Sequence, residues 1–309
     1  MNGTLIKNEK KEKNSKKRAL LIGINYISIP EIMLNGCIDD IVIAKNMLID
    51  AYDYDSSDIT VLRDDLDNQS TCPNHQNIIC ELQKIIGSSP NLDEIWIQYS
   101  GHGSQISVQN NNHINDLDDV IVPLDYQTVG FISEEILYEI LKAVDPQCKT
   151  VLIFDCCHSG NICKFPWTID AANLEGVYNE NNETNGQNGQ NGQMSPNIFA
   201  LSGCKDSQTS ADEFSRDLNQ GVGAFSNALN ECLRESHHQI DVLTLYKQVC
   251  QRMVDGGYEQ TPVLTSGKQV PDYVFSRTCS QDISNCKIVP CVPIKLDISS
   301  IIKKNNQTI

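Results

Sequence analysis

The sequence predicts an α/β fold in which a mostly parallel sheet carries helices on both faces. Short apolar runs of strand length alternate along the chain with segments of about ten residues whose apolar side chains recur at helical spacing. Strands that alternate with helices in this way form parallel sheets that are covered on both sides. Hydrophobic residues make up 40% of the 309 residues and charged residues 21%, which is typical of a globular chain and excludes a fibrous repeat.

The first half of the chain carries the clearest helix signals. Ile41, Ala44 and Leu48 recur at helical spacing, and the helix after Ser133 begins with Glu134 and Glu135, which suit the positive end of a helix dipole. TVLIFD is apolar enough to be buried on both faces of a sheet. In chain order the predicted elements are strand 19–26, helix 37–51, strand 59–62, helix 77–86, strand 93–103, the extended segment 120–125, helix 133–142 and strand 150–155.

A polar repeat divides the chain. NENNETNGQNGQNGQ contains three tandem Asn-Gly-Gln units, which indicates a flexible linker, and the piece after it is too small to stand alone and is expected to continue the same sheet. That piece contains the predicted strands 197–203 and 261–267 and the predicted helices 223–235 and 242–254. The predicted organisation is a disordered basic tail (1–18), a large region (19–178), a flexible linker (179–195), a small region (196–277) and a C-terminal extension (278–309).

Charge and cysteine usage exclude several classes of partner. The net charge of −16 argues against a nucleic-acid ligand, although the first 18 residues hold seven Lys or Arg and two Glu. No apolar run is long enough for a membrane span or a secretory signal. The 13 cysteines are odd in number, include the adjacent pair Cys156 and Cys157, and form no C-x-x-C pair, so we expect free thiols in a reducing cytoplasm and no zinc site. We expect a monomer without an organic cofactor.

A histidine and a cysteine follow two of the predicted strands, each in a glycine-bearing turn. His102 comes after the third strand in YSGHGS, and Cys157 comes after the fourth in DCCHSG. Sites in parallel sheets lie at the carboxyl ends of the strands, so neighbouring strands would bring the imidazole within reach of the thiol. A thiol becomes a strong nucleophile as the thiolate, so His102 would act as general base. The N–H groups of Gly103 and Cys157 would form an oxyanion hole.

Two neighbouring residues compete for these roles. A single cysteine is most often a buried apolar side chain, and a single histidine is most often a hydrogen-bonded core or surface residue. The occurrence of both in glycine turns at two strand ends favours catalysis. His158 could be the base, but it directly follows Cys157 and is poorly placed to share a substrate with it. Cys156 could be the nucleophile, but strand alternation points the two cysteines to opposite faces, so only one faces the cleft.

Three motifs occur in order along the chain, namely YSGHGS (99–104), DCCHSG (155–160) and SGCKDSQTSAD (202–212). Together they resemble the metacaspases, the caspase-like cysteine peptidases found outside animals, and the resemblance extends over 19–276. It implies a caspase-like sandwich with a mostly parallel six-stranded sheet. The short linker is similar to the type I arrangement, without a long prodomain.

The resemblance also implies the chemistry of the site. It makes His102 and Cys157 a catalytic dyad that cleaves peptide bonds after Arg or Lys through an acyl-enzyme. The residues that match the family's acidic substrate pocket are Cys37, Asp40, Ser100 and Asp155. Buried carboxylates at strand ends need a cationic partner, which agrees with a basic residue in the substrate.

The resemblance further implies a calcium site formed by Asp119, Glu134 and Glu135. Glutamates replace aspartates here, and Lys164 stands where a further ligand aspartate is expected. We therefore expect weak calcium activation that needs millimolar ion, because the ammonium would repel it. The interpretation without a metal is a solvated acidic loop and a helix N-terminal pair.

Self-cleavage is the last expectation. A peptidase specific for Arg or Lys should cut its own basic tail, and Lys164 is the first candidate near the linker, because residues 165–193 contain no Lys or Arg. One rival hypothesis is a catalytically silent scaffold or aggregate-binding protein with the same fold, although the presence of both dyad residues favours the enzyme. The other is a paracaspase, and SGCKDSQTSAD argues against it.

Overall fold

A central sheet of eight strands organises the protein in the computed structural model, which describes residues 15–110, 113–157, 159–160, 162–179, 194–203, 212–215 and 220–278. The strands of the described residues are β1 (Lys17–Gly23), β2 (Ile59–Arg63), β3 (Glu94–Ser100), β4 (Gly103–Asn110), β5 (His113–Ile121), β6 (Ile132–Ser133), β7 (Lys149–Asp155), β8 (Trp167–Ile169), β9 (Gly176–Tyr178), β10 (Ile198–Ser202), β11 (Asp212–Ser215), β12 (Gln220–Gly223), β13 (Gln239–Asp241), β14 (Val263–Ser266) and β15 (Val274–Ser276). The helices are α1 (Cys37–Asp50), α2 (His75–Gly87), α3 (Tyr126–Val129), α4 (Glu134–Leu141), α5 (Ala224–Glu235) and α6 (Val242–Asp255).

The order of strands across this sheet is β2-β1-β3-β7-β10-β14-β8-β9. The first five strands are parallel, and the pairs that involve β14, β8 and β9 are antiparallel. The predicted fold class is confirmed, and the strands after the linker continue the same sheet. The predicted count of six strands is wrong for the described residues, because the short hairpin β8–β9 extends the edge beside β14.

The sheet has a core on each face. Alternate residues of β1 show this division: Leu20 and Ile22 pack against α2 and α4, and Ala19 and Leu21 pack against α1, α5 and α6. Alternate residues of the strand therefore face helices on opposite sides of the sheet, as predicted. Ser133 caps α4, as predicted, by accepting a hydrogen bond from the backbone N–H of Ile136 at 3.4 Å.

A second, three-stranded sheet (β4-β5-β6) lies beyond the end of β3, and the sequence analysis did not predict it except for the extended segment at its end. The sequence of β4 and β5 is rich in Asn, Asp, Gln and Ser, which are poor strand formers, so the pairing of the two strands rather than local preference defines them. This hairpin matters for function because it begins at Gly103, directly after His102.

Three predicted boundaries need correction. Lys17 and Arg18, assigned to the basic tail, pair with β3 as the first residues of β1, and the Lys17 ammonium donates to the Tyr52 carbonyl at 2.9 Å. Asn179 and Met194, assigned to the linker, are held in place, the first by its bond to Phe165 and the second by burial in the core. The rest of the tail, of the linker and of the C-terminal extension lies outside the described residues, apart from Ser15, Lys16, Ser195 and Thr278.

In the part of the chain that the structure describes, no helix combines the length and the apolar character needed to cross a bilayer.

Candidate active site

The candidate catalytic residues lie where two neighbouring parallel strands end. β3 and β7 are adjacent in the sheet, and the last residues of the two strands, Ser100 and Asp155, are directly opposite each other. The chain continues this pairing for one more step, because the N–H of Gly101 donates to the Asp155 carbonyl at 3.3 Å. His102 and Cys157 each follow by two residues, so the condition that the sequence analysis set for bringing them together is met.

Gly103 makes close approach to the cysteine turn feasible. A Cβ atom at this position would collide with the backbone carbonyl of Cys157, and would come within 3.3 Å of the Cys156 sulfur. Any side chain here would therefore push the histidine segment away from the cysteine segment. The absence of a side chain at Gly103 is what lets the two turns pack against each other.

A backbone carbonyl that the sequence analysis missed orients the histidine ring. The Nε2 atom of His102 lies 2.7 Å from the carbonyl oxygen of Ile32. A carbonyl can only accept, so Nε2 carries the hydrogen and Nδ1 is left as the basic nitrogen of the neutral ring. The Ile32 carbonyl could not be found from the sequence, because its role does not depend on a side chain.

Two buried tyrosines fix the backbone of the histidine. The Tyr26 hydroxyl accepts from the N–H of His102 at 3.0 Å and donates to the Val122 carbonyl at 2.7 Å. The Tyr99 hydroxyl donates to the His102 carbonyl at 2.7 Å and accepts from the N–H of Val122 at 3.3 Å. The two side chains are at most 1% exposed, and burial raises the pKa of each, so the hydroxyls remain protonated donors. We call these four bonds the tyrosine clamp.

The two adjacent cysteines differ in access. Cys156 is fully buried in the core between the sheet and α2, whereas Cys157 is partly exposed at the end of β7. This difference fits the predicted opposite orientation and leaves Cys157 as the thiol that a substrate can reach. The competing base His158 lies outside the described residues.

Two buried carboxylates meet at the start of α5. The Asp40 carboxylate accepts from the N–H of Gly223 at 3.0 Å, and the Asp155 carboxylate accepts from the N–H of Ser226 at 3.0 Å. A Cβ on Gly223 would collide with the Asp155 carboxylate, so Gly223 lies directly against both acids. The exposed fractions of Asp40 and Asp155 are 1% and 5%. The first turn of α5 favours this negative charge.

The remaining predicted pocket residues line the same strand and helix ends. Cys37 is buried at the first residue of α1, one turn before Asp40. Ser100 is fully buried, and its hydroxyl has no hydrogen-bond partner in the described residues; the same holds for Ser226. Buried polar groups are nearly always bonded, so two orphaned hydroxyls beside two buried carboxylates indicate a polar ligand site. Gly223 and Ser226 were missed because they lie about 70 residues beyond Asp155 in the sequence.

The carboxylates that the sequence analysis assigned to calcium are already engaged by protein groups. Asp119 accepts from the side-chain amide of Gln105 at 2.9 Å, and the Lys164 ammonium lies 3.1 Å from Glu134 and 2.8 Å from Glu135. The described residues contain no group of three or more His, Cys, Asp or Glu side chains arranged to hold a metal ion. A hard divalent cation needs six to eight oxygens, so this arrangement does not fit bound calcium.

The fold is that of the caspases. A crystal structure of a protein from Geobacter sulfurreducens superposes with a TM-score of 0.57 at 19% identity, over 85% of this chain and 97% of that one. Caspase-1 from Spodoptera frugiperda superposes with a TM-score of 0.51 at 15% identity, over 86% of this chain and 92% of that one. This likeness shows the fold, in which the histidine and the cysteine follow the ends of two adjacent strands.

Sequence relatives identify the class of protein. The family model described as the metacaspase, peptidase C14 domain, matches residues 17–166, which include both strand ends and Asp40. Metacaspase-1 of Schizosaccharomyces pombe is 29% identical over 81% of this chain, and Metacaspase-1 of Cryptococcus neoformans is 31% identical over 81%. The chain spans 67% and 62% of the lengths of these two relatives. These matches identify a metacaspase-type cysteine peptidase domain in residues 17–166, and the similarity to metacaspases continues over 81% of the chain.

Proposed function

We propose that this protein is an endopeptidase that cleaves after Arg or Lys, with Cys157 as nucleophile and His102 as general base. The observation that carries the proposal is the contact of the Cys157 turn with Gly103 beside the pocket that contains Asp40 and Asp155. The candidate nucleophile and the two buried carboxylates thus lie at one edge of the sheet.

The geometry supports a role for each atom in this proposal. Nδ1 of His102, left basic by the bond from Nε2 to Ile32, takes the proton of the Cys157 thiol. The thiolate attacks the scissile carbonyl, and the backbone N–H groups of Gly103 and Cys157 stabilise the oxyanion. The imidazolium then protonates the leaving amine, and water releases the acyl group from the sulfur.

Charge supports the proposed specificity. Asp40 and Asp155 are both buried and each accepts from a backbone N–H group, so the pocket contains two acidic side chains. A guanidinium or ammonium group of the substrate would be attracted to these carboxylates and could donate to the hydroxyl of Ser100, which has no partner in the described residues. An acidic side chain in the same pocket would add a third negative charge. We therefore expect cleavage after Arg or Lys and none after Asp.

Self-processing belongs to the proposal, with a ranking of sites that the structure suggests. Lys164 is a poor candidate, because its ammonium is bound by two glutamates and its neighbours Cys163 and Phe165 are buried. The four lysines of residues 1–14 are better candidates. A cytoplasmic monomer remains our expectation, and none of the nine cysteines in the described residues forms a disulfide, which is typical of a reducing compartment.

Fluorogenic peptides that end in Arg, Lys or Asp before the reporter group test the proposal. The Cys156→Ala variant is a matched control for Cys157→Ala, because the two residues are adjacent and only Cys157 is exposed. We expect Cys157→Ala to lose on the order of 1,000-fold or more in kcat. Cys156→Ala should keep its turnover number after allowance for any loss of stability.

Two results would contradict the proposal. Turnover of the Asp peptide at or above that of the Arg peptide would exclude the specificity. A wild-type protein that folds but hydrolyses none of the three peptides would favour the rival hypothesis of a catalytically silent scaffold.

A further inference from the structure

Lys164 forms a bridge between two glutamates at the edge of the active site. Its ammonium lies 3.1 Å from Oε1 of Glu134 and 2.8 Å from Oε2 of Glu135. The side chains of Lys164 and Glu134 are 22% and 16% exposed, so this arm of the bridge is largely buried, whereas the Glu135 side chain is 51% exposed. Such pairs matter most when one partner is removed, because the other charge stays buried.

The bridge connects three segments that are distant in sequence. Lys164 lies in the loop that follows the Cys157 turn, the two glutamates begin α4, and the carboxylate of Glu134 also accepts from the backbone N–H of Asp119 in β5. The negative charge of Asp118 is close enough to raise the pKa of Glu134, although burial is the larger cause. Without a cation, these acidic groups would repel each other.

The backbone of Lys164 is held firmly. Cys163 and Phe165, its two neighbours, are buried in the same core as Phe154 and Cys156, which precede the candidate nucleophile. Lys164 itself has a φ of 50°, a left-handed conformation that a lysine adopts only when its surroundings require it. The position of the ammonium is therefore coupled, through this shared core, to the residues that directly precede Cys157.

We propose that the Lys164 ammonium is a built-in cation that holds this edge of the active site together, so that the protein is assembled for catalysis without calcium. The proposal rests on the proposed function, whose regulation it concerns. It differs from the expectation of weak calcium activation in one measurable respect: the wild-type protein should neither need nor bind the ion. A calcium ion would have to displace the ammonium and would then find too few free oxygens.

The test compares wild type with Lys164→Asp and Lys164→Met. Lys164→Asp removes the ammonium and adds a carboxylate that could bind calcium. Lys164→Met removes the charge but keeps most of the unbranched side chain. Lys142→Met is the matched control, since Lys142 forms an exposed ion pair with Glu139 on the same helix. Each protein is titrated with CaCl2 in a calorimeter, melted with CaCl2 or excess chelator, and assayed with the Arg peptide under both conditions.

For wild type and Lys142→Met we expect equal activity in chelator and in millimolar CaCl2, no heat of binding and no shift of Tm. Lys164→Met should lose at least about tenfold in kcat under both conditions, because small displacements of a nucleophile are costly. Lys164→Asp should be weakly active in chelator and recover in CaCl2, with a measurable heat of binding and a higher Tm.

Three outcomes would overturn the proposal: loss of wild-type activity in chelator, stoichiometric binding of CaCl2 by wild type, or full activity of Lys164→Met in chelator. The Tm and calorimetric measurements do not depend on turnover. If the wild type hydrolysed no peptide, the proposed function would fail, while the contrast in calcium binding between wild type and Lys164→Asp would still test the built-in cation.

Discussion

Replacing Tyr99 by Phe removes one half of the tyrosine clamp, together with the 3.3 Å contact between the Tyr99 and Tyr26 hydroxyls, and leaves the candidate catalytic and pocket side chains unchanged. The lost hydroxyl donates to the His102 carbonyl at 2.7 Å and accepts from the N–H of Val122 at 3.3 Å. The N–H of Val122 still reaches the same carbonyl at 3.2 Å, so neither backbone group is left without a partner. With each net hydrogen bond worth about 0.5–1.5 kcal/mol, we expect the free energy of unfolding to fall by about 1–3 kcal/mol.

The effect on catalysis should be separable from this loss of stability. Because the base is less well positioned, we expect the activation free energy to rise by about 1–2 kcal/mol. This rise lowers kcat by about 5- to 30-fold. KM for the Arg peptide should change little, since the pocket carboxylates are untouched. Tyr246→Phe is the matched control, because that buried hydroxyl also bonds backbone carbonyls, of Ile169 and Pro262, but away from the site.

Steady-state kinetics and denaturant unfolding of the two variants decide the question. We expect both to lose stability and only Tyr99→Phe to lose kcat. Equal kcat for wild type and Tyr99→Phe, or an equal fall in both variants, would refute the positioning role of the clamp.

Three further predictions follow from the pocket and the ion pair. Asp40→Asn should raise KM for the Arg peptide and leave the pH dependence of kcat in place, because it removes pocket charge without touching the base; an unchanged KM would contradict this. Gly223→Ala should lower kcat/KM for the same peptide and cost about 1–3 kcal/mol of stability, since the added methyl collides with Asp155; wild-type kinetics would show that the contact is not part of the pocket. Burial lowers the pKa of Lys164, and the bonds to the two glutamates raise it, with a net rise above the ordinary 10.5. The stability difference between wild type and Lys164→Met should therefore be constant from neutral pH to about 10 and be lost as the pH rises through the raised pKa. Urea unfolding across this range measures the difference, and a difference already lost at pH 8 would contradict the sign of the shift.

The sequence predicted those features that depend on local pattern. The apolar runs identified the strands, and because parallel strands share an edge, their ends predicted that His102 and Cys157 would lie together. The capping of α4 by Ser133 was likewise visible, since a cap needs only the residues of its own turn.

Features that depend on distant partners were not predictable in this way. The tyrosine clamp depends on Tyr26 and Tyr99, which are 73 positions apart in the sequence, and each residue alone is an ordinary buried aromatic. The hairpin β4–β5 has a polar sequence and is defined by its pairing. In the sequence alone, Lys164 stands as a defect in an expected calcium site, because only the folded chain shows its ammonium between Glu134 and Glu135.

The start of β1 limits how the chain can be cut after Lys16. Lys16 precedes the strand, and its carbonyl accepts from the N–H of Asp93 at 2.8 Å, at the amino end of the parallel strands. Cys157 follows their carboxyl end, a strand length of about 20 Å away. A peptide bond fixed at one end of the sheet cannot enter a cleft at the other end of the same sheet. Cutting after Lys16 therefore requires a second molecule, and its rate should rise with the square of the protein concentration, as a reaction between two copies must.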